Sequence, residues 1–99
     1  MIKTKIYIAG KISGKESIAA EEFQLAESYL ILQGYTPINP MKLPHNHNKE
    51  WASYMKECLK SLMDCDDIYM LSGWEDSIGA TIEHHIAKAL KMKFTYQNL

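Results

Sequence analysis

Ninety-nine residues, 46% apolar and 23% charged, describe an ordinary folded chain with room for one domain over 1–99 and a modest core, which favours self-association as a dimer or larger homo-oligomer. A net charge of −1, with no Lys/Arg block able to follow a phosphate backbone, excludes long nucleic acid as a partner, and no apolar run approaches the ~18 residues of a membrane span or a signal peptide's apolar region. Cys58 and Cys65, with no CxxC pairing and no zinc-type spacing, are the free thiols of a protein at home in a reducing cytoplasm; neither a metal nor an organic cofactor is implied.

Ile6 to Ala9 is a short apolar run stopped by Gly10, the pattern of a buried strand, and Gly10–Lys15 follows as a loop. Ser17 to Gln33 is helical, with Ala19, Phe23, Ala26 and Leu30 on one face and Gly34 as its stop. Tyr35–Ile38 is a second strand whose Pro37 suits a sheet edge. Asn39–Lys49, with two prolines and His45-Asn46-His47, is long enough for a binding loop; two loop imidazoles without a third ligand do not make a metal site. Glu50–Met63 is a second helix, with Trp51, Tyr54, Met55, Cys58, Leu59 and Leu62 on one face. Asp67–Leu71 is a third strand, Ser72–Asp76 a turn, Ser77–Lys91 a third helix, and Lys93–Tyr96 a fourth strand.

The β-α-β-α-β-α-β order predicts an α/β fold, a four-stranded parallel sheet with helices on both faces. Ligands in such sheets sit beyond the carboxyl ends of the strands. That edge gathers Gly10–Lys15, Asn39–Lys49 and Ser72–Gly79. The glycine loop Gly10-x3-Gly14-Lys15-Glu16 fits neither a Walker loop nor GxGxxG, which leaves a strand-to-helix turn with two lysines.

Ser77 to Glu83 is the most informative stretch. Ser77 is a good N-cap, so the amides of Gly79 and Ala80 are expected to point out of the helix start, an end that attracts anions. Glu83 shares a face with Gly79 and Ala80, and Ala87 and Leu90 are expected to carry that face inward. A carboxylate set among small and apolar residues is poorly solvated, which raises its pKa and readies it for chemistry. The competing reading is a helix with a favourable acid in its first turns. Trp51 and Trp74 could both stack on a base; core or interface packing is the competing reading, even for Trp74 and favoured for Trp51. His84 and His85 point about 100° apart, so they cannot share an ion; one of them could line the pocket beside Glu83, though surface placement is favoured.

Ile6-Tyr7-Ile8-Ala9-Gly10 with Ile12-Ser13-Gly14, Asn39-Pro40, Cys65-Asp66, Gly73-Trp74-Glu75 and Ser77-x-Gly79-Ala80-x-x-Glu83 together resemble the nucleoside 2-deoxyribosyltransferase superfamily. The similarity is greatest to a small, mostly uncharacterised branch in bacteria and phages. The resemblance implies a three-layer flavodoxin-like fold and cleavage of an N-glycosidic bond. It matches Glu83 to the nucleophile that attacks the anomeric carbon and Tyr7 to its orienting partner. It also implies a substrate subsite from Gly10, Lys11, Ile12, Ser13, Gly14, Trp74, Ser77, Gly79 and Ala80. A carboxylate trapping an oxocarbenium-like centre is the two-step retaining scheme, and a missing 2-hydroxyl makes that cation easier to form.

Two positions depart from the transferase pattern. Ser77 stands where transferases carry Asp; the nucleotide-hydrolysing relatives have Ser there and Gly two residues on, which implies a (deoxy)nucleoside 5′-monophosphate, with Lys11 or Lys15 as counter-charge. Cys58 stands where characterised members carry a catalytic Asp. The alternative is therefore a non-catalytic nucleotide-binding or sensing module that keeps the pocket.

Overall fold

Side-chain alternation along two strands decides how the chain layers. In the computed structural model, which describes residues 3–44 and 50–97, β1 (Lys5–Ala9) and β3 (Asp67–Met70) lie side by side and buried at the centre of the sheet. Ile6, Ile8, Tyr69 and Leu71 point to one face; Tyr7, Ala9, Ile68 and Met70 point to the other. Each set meets a different helical layer.

Helix α1 (Glu16–Leu32) covers the first face with Ala19, Phe23, Ala26 and Leu30, the four residues its periodicity selects. Helices α2 (Trp51–Met63) and α3 (Ile78–Ala89) cover the second, where Cys58, Leu62 and Ala87 close the core. The outer strands are β2 (Thr36–Ile38) and β4 (Lys93–Tyr96), giving a fully parallel sheet of order β2-β1-β3-β4. Pro37 thus sits in an edge strand, where its missing N–H leaves no gap in a central ladder. This is the predicted three-layer α/β architecture. Among the described residues no helix is long and apolar enough to cross a membrane.

Two single 3-10 turns, Pro40–Lys42 and Trp74–Asp76, occupy segments expected to be irregular. Asn39 caps the first by accepting from the Met41 amide at 3.0 Å, and its own amide donates to Glu27 on α1 at 3.0 Å. His45, Asn46 and His47 lie outside the described residues.

Helix α1 ends as Gly34 predicts. With φ +93°, Gly34 takes the left-handed position of a Schellman cap, its amide bonded to the Ile31 carbonyl and that of Tyr35 to the Leu30 carbonyl. Helix α3 ends with the same two bonds, Lys91 to Lys88 and Met92 to Ala87, but Lys91 holds the left-handed position at φ 59°. Hence the helix stops at Ala89, short of the expected Lys91. Leu90, expected to point inward, is 55% exposed because it lies past the last helical residue, where the chain is already turning toward β4.

Candidate active site

The chain leaves β1 toward α1 and leaves β3 toward α3, on opposite faces, so a crevice opens between their carboxyl ends. Gly10 and Leu71 meet at its base. A Cβ on Gly10 would lie 2.7 Å from Leu71 Cδ1, so only glycine lets the two loops close this tightly. Above them lies a cavity of about 540 Å3, within the ~300–1,000 Å3 usual for small-molecule sites.

Its floor is a buried pair. The Tyr7 hydroxyl donates to Glu83 Oε2 at 2.6 Å across 76 positions of sequence. Tyr7 reaches the spot because it is the β1 side chain that points toward α2 and α3, and Glu83 because it continues the buried face of Ala80 and Ala87. Glu83 is 5% exposed, and burial pushes its carboxyl up to about 7 against the opposing pull of the Tyr7 hydrogen bond. Burial and the neighbouring carboxylate hold the Tyr7 phenol well above its ordinary value, so it stays a donor.

Helix α2 supplies one wall. Cys58 is buried beside Tyr7 and Tyr54; loss of solvent pushes its thiol up to about 11, so it is neutral. Met55, Tyr54 and Trp51 continue along the same i, i+3, i+4, i+7 stripe toward the mouth. The opposite wall is the first turn of α3. Ser77 Oγ accepts from the Ala80 amide at 3.1 Å, so Ala80, expected to present its amide outward, has it engaged in the cap. Ile78 and Gly79 have no residue four positions back within the helix, and their amides lead the helix start. A Cβ on Gly79 would stand 3.0 Å from Met55 Sδ, so this glycine also allows α2 and α3 to approach. At the rim sit Lys11, which forms no ion pair among the described residues, and the exposed Asp76.

Of the residues named from sequence, Tyr7, Gly10, Lys11, Ile12, Ser13, Ser77, Gly79, Ala80 and Glu83 all line this one cavity. Gly14 and Trp74 do not. Gly14 takes φ +85° in the turn before α1, and its amide donates to Glu16. Trp74 lies flat against His84, ring centroids 4.2 Å apart and planes 9° apart, in an aromatic group with Phe94 and Tyr96 on the β4 side. The His84 ring nitrogen also meets the Tyr96 hydroxyl at 2.9 Å, and His85 is exposed, so neither histidine enters the cavity. Lys15 is bound to Glu22 at 2.9 Å and lies outside it too.

From sequence, Tyr54 is only a member of an apolar helix face, and Trp51 is one for which packing is favoured over stacking. What places them in the cavity is direction: α2 starts at the carboxyl edge of the sheet, so the first turns of its inward face project past the strands. Pro40 joins them from the segment after β2. No group of three or more His, Cys, Asp or Glu side chains suited to a metal occurs among the described residues.

A family model described as a domain of unknown function, DUF4406, matches residues 4–96. No curated protein matches the chain. Among solved structures, a 2-deoxyribosyltransferase from the psychrotolerant bacterium Bacillus psychrosaccharolyticus superposes with a TM-score of 0.70 at 20% identity, over 93% of this chain and 70% of that one. At that identity the likeness is one of fold.

Proposed function

We propose a function for a chain that belongs to the DUF4406 family: it cleaves the N-glycosidic bond of a (deoxy)nucleoside 5′-monophosphate, with Glu83 as nucleophile. The buried Tyr7–Glu83 pair at the floor of an open cavity carries this reading. The 2.6 Å bond holds one carboxylate oxygen and leaves the other to attack. As the Glu83–C1′ bond forms, the C1′–N bond breaks and its electron pair leaves with the base, which takes a proton from solvent. Water then bonds to C1′, the ester C1′–O bond breaks, and Glu83 recovers its carboxylate as the proton returns to solvent. A second base in place of that water would make the reaction a transfer. The fold shared with a 2-deoxyribosyltransferase agrees with this chemistry. With its carboxyl pushed up to about 7, Glu83 still supplies an ionised, attacking fraction near neutrality.

The phosphate would lie at the start of α3, where Ser77, Ile78 and Gly79 line the cavity, with Lys11 of the same cavity as counter-charge. Ser77 precedes Glu83 by six residues, or about 9 Å of helix, which separates the phosphate from the reacting carbon.

Cys58 favours a second reading. It is neutral and stands beside Tyr7 where the transferase pattern has a carboxylate, so a pocket that binds nucleotide without turning it over is the rival. The test is incubation with 2′-deoxynucleoside 5′-monophosphates, following free base by chromatography, beside Glu83→Ala. Base release that disappears in the variant is the expected result. Thermal stabilisation by a nucleotide with no base released selects the binding module.

A further inference from the structure

The two walls of the cavity above Glu83 differ in chemistry. The α3 wall offers amides and a hydroxyl. The α2 wall offers only Trp51, Tyr54, Met55 and Cys58, four side chains without charge on one stripe of the helix. From Cys58, beside the Tyr7–Glu83 pair, to Trp51 is seven residues, or about 10 Å along the axis. That is the reach of a flat ring system attached to a carbon held at Glu83.

Trp51 is the unusual member. It is 49% exposed, although it belongs to the face α2 turns toward the molecule, and its free surface borders the cavity. A large aromatic side chain left half in water at a pocket mouth gains by covering its face. Trp74, the other tryptophan, already has its face covered by His84.

We infer that Trp51 is the platform on which the substrate's nucleobase stacks, with Tyr54 and Met55 continuing the same apolar wall down to Glu83. This assignment rests on the nucleotide reading above and adds to it the means of base recognition. Stacking on an uncharged wall reads ring area more than hydrogen-bond pattern, so purine nucleotides should bind more tightly than pyrimidine ones.

The experiment is calorimetric titration of the wild-type chain, Trp51→Ala and Trp51→Phe with 2′-deoxyguanosine 5′-monophosphate, 2′-deoxycytidine 5′-monophosphate and 2-deoxyribose 5-phosphate. Exposure of Trp51 means that Trp51→Ala should keep its fold, which its melting temperature checks. Trp51→Ala should lose about 5- to 150-fold in affinity for the purine nucleotide, Trp51→Phe should recover most of it, and binding of the sugar phosphate should not change. Equal nucleotide affinity in wild type and Trp51→Ala would overturn the platform and leave the nucleotide reading intact. Equal weakening of nucleotide and sugar phosphate would also overturn it. If no nucleotide binds the wild-type chain, the nucleotide reading itself fails.

Discussion

At the scale of single residues, Glu83 sets stability against the ionisation that the proposed reaction needs. Its folded-state pKa of about 7 lies above the ordinary 4.5, so between those values the native chain keeps a proton that the unfolded chain has lost. Stability must therefore fall as pH rises from about 4.5 to about 7, and stay lower above that. The shift corresponds to a loss on the order of 3 kcal/mol. Glu83→Gln keeps an acceptor for the Tyr7 hydroxyl and cannot ionise. It should melt higher than wild type at pH 8, match it near pH 5, and release no base. Parallel thermal melts of the two proteins across this range check the sign, and a variant less stable at pH 8 would contradict it. The rate of base release by wild type should rise through the same window, because attack requires the ionised form.

At the scale of elements, the ends of α1 and α3 are the same device built from different residues. Gly34 holds the left-handed position without strain; Lys91 holds it against its Cβ. Lys91→Gly should therefore stabilise the chain by roughly 1 kcal/mol, read as a shift in the urea midpoint without a change of slope. The contrast also explains what could be foreseen. The Ile6–Ala9 run, the α1 stripe and the edge-strand Pro37 follow from residue type and period, and the structure has them where the sequence puts them. Leu90 was misplaced because a lysine gives no stop signal, so the periodic pattern runs on past the real end. Periodicity puts Trp51 on the inward face of α2 but does not tell how far that face extends beyond the sheet, so its place at the cavity is not legible in the sequence. Gly14, matched to the substrate subsite through the Ile12-Ser13-Gly14 motif, has a positive φ that serves the turn into α1. Glu83 was legible because small and apolar neighbours at helical spacing already describe a carboxylate without water.

At the scale of the whole molecule, one surface is more apolar than a lone chain needs. Ile18, Leu25, Tyr29 and Leu32 follow one another along α1 at intervals of seven, four and three, and all are at least half exposed. Such a stripe marks an interaction surface, and its spacing is that of a helix–helix seam. A groove of about 400 Å3 runs from it to the β4 edge between Leu25, Tyr29, Tyr69 and Tyr96. The expected occupant is a second copy, and a two-fold pairing centred on the stripe would bring Leu25, near its middle, close to its own equivalent. Wild type should sediment as a dimer or larger species at micromolar concentration. Leu25→Glu, which would bring like charges together at the axis, should sediment as a monomer. A monomeric wild type would refute the pairing.

The 76 positions between Tyr7 and Glu83 have a kinetic side. One partner belongs to β1 and the other to α3, so a fragment that stops short of residue 83 or starts beyond residue 7 lacks the pair. Contacts this distant in sequence are slow to form, because a long loop must close before they stabilise anything. The pocket floor is therefore finished only once β1 has met α3, and occupancy of the pocket becomes a gauge of that long-range closure.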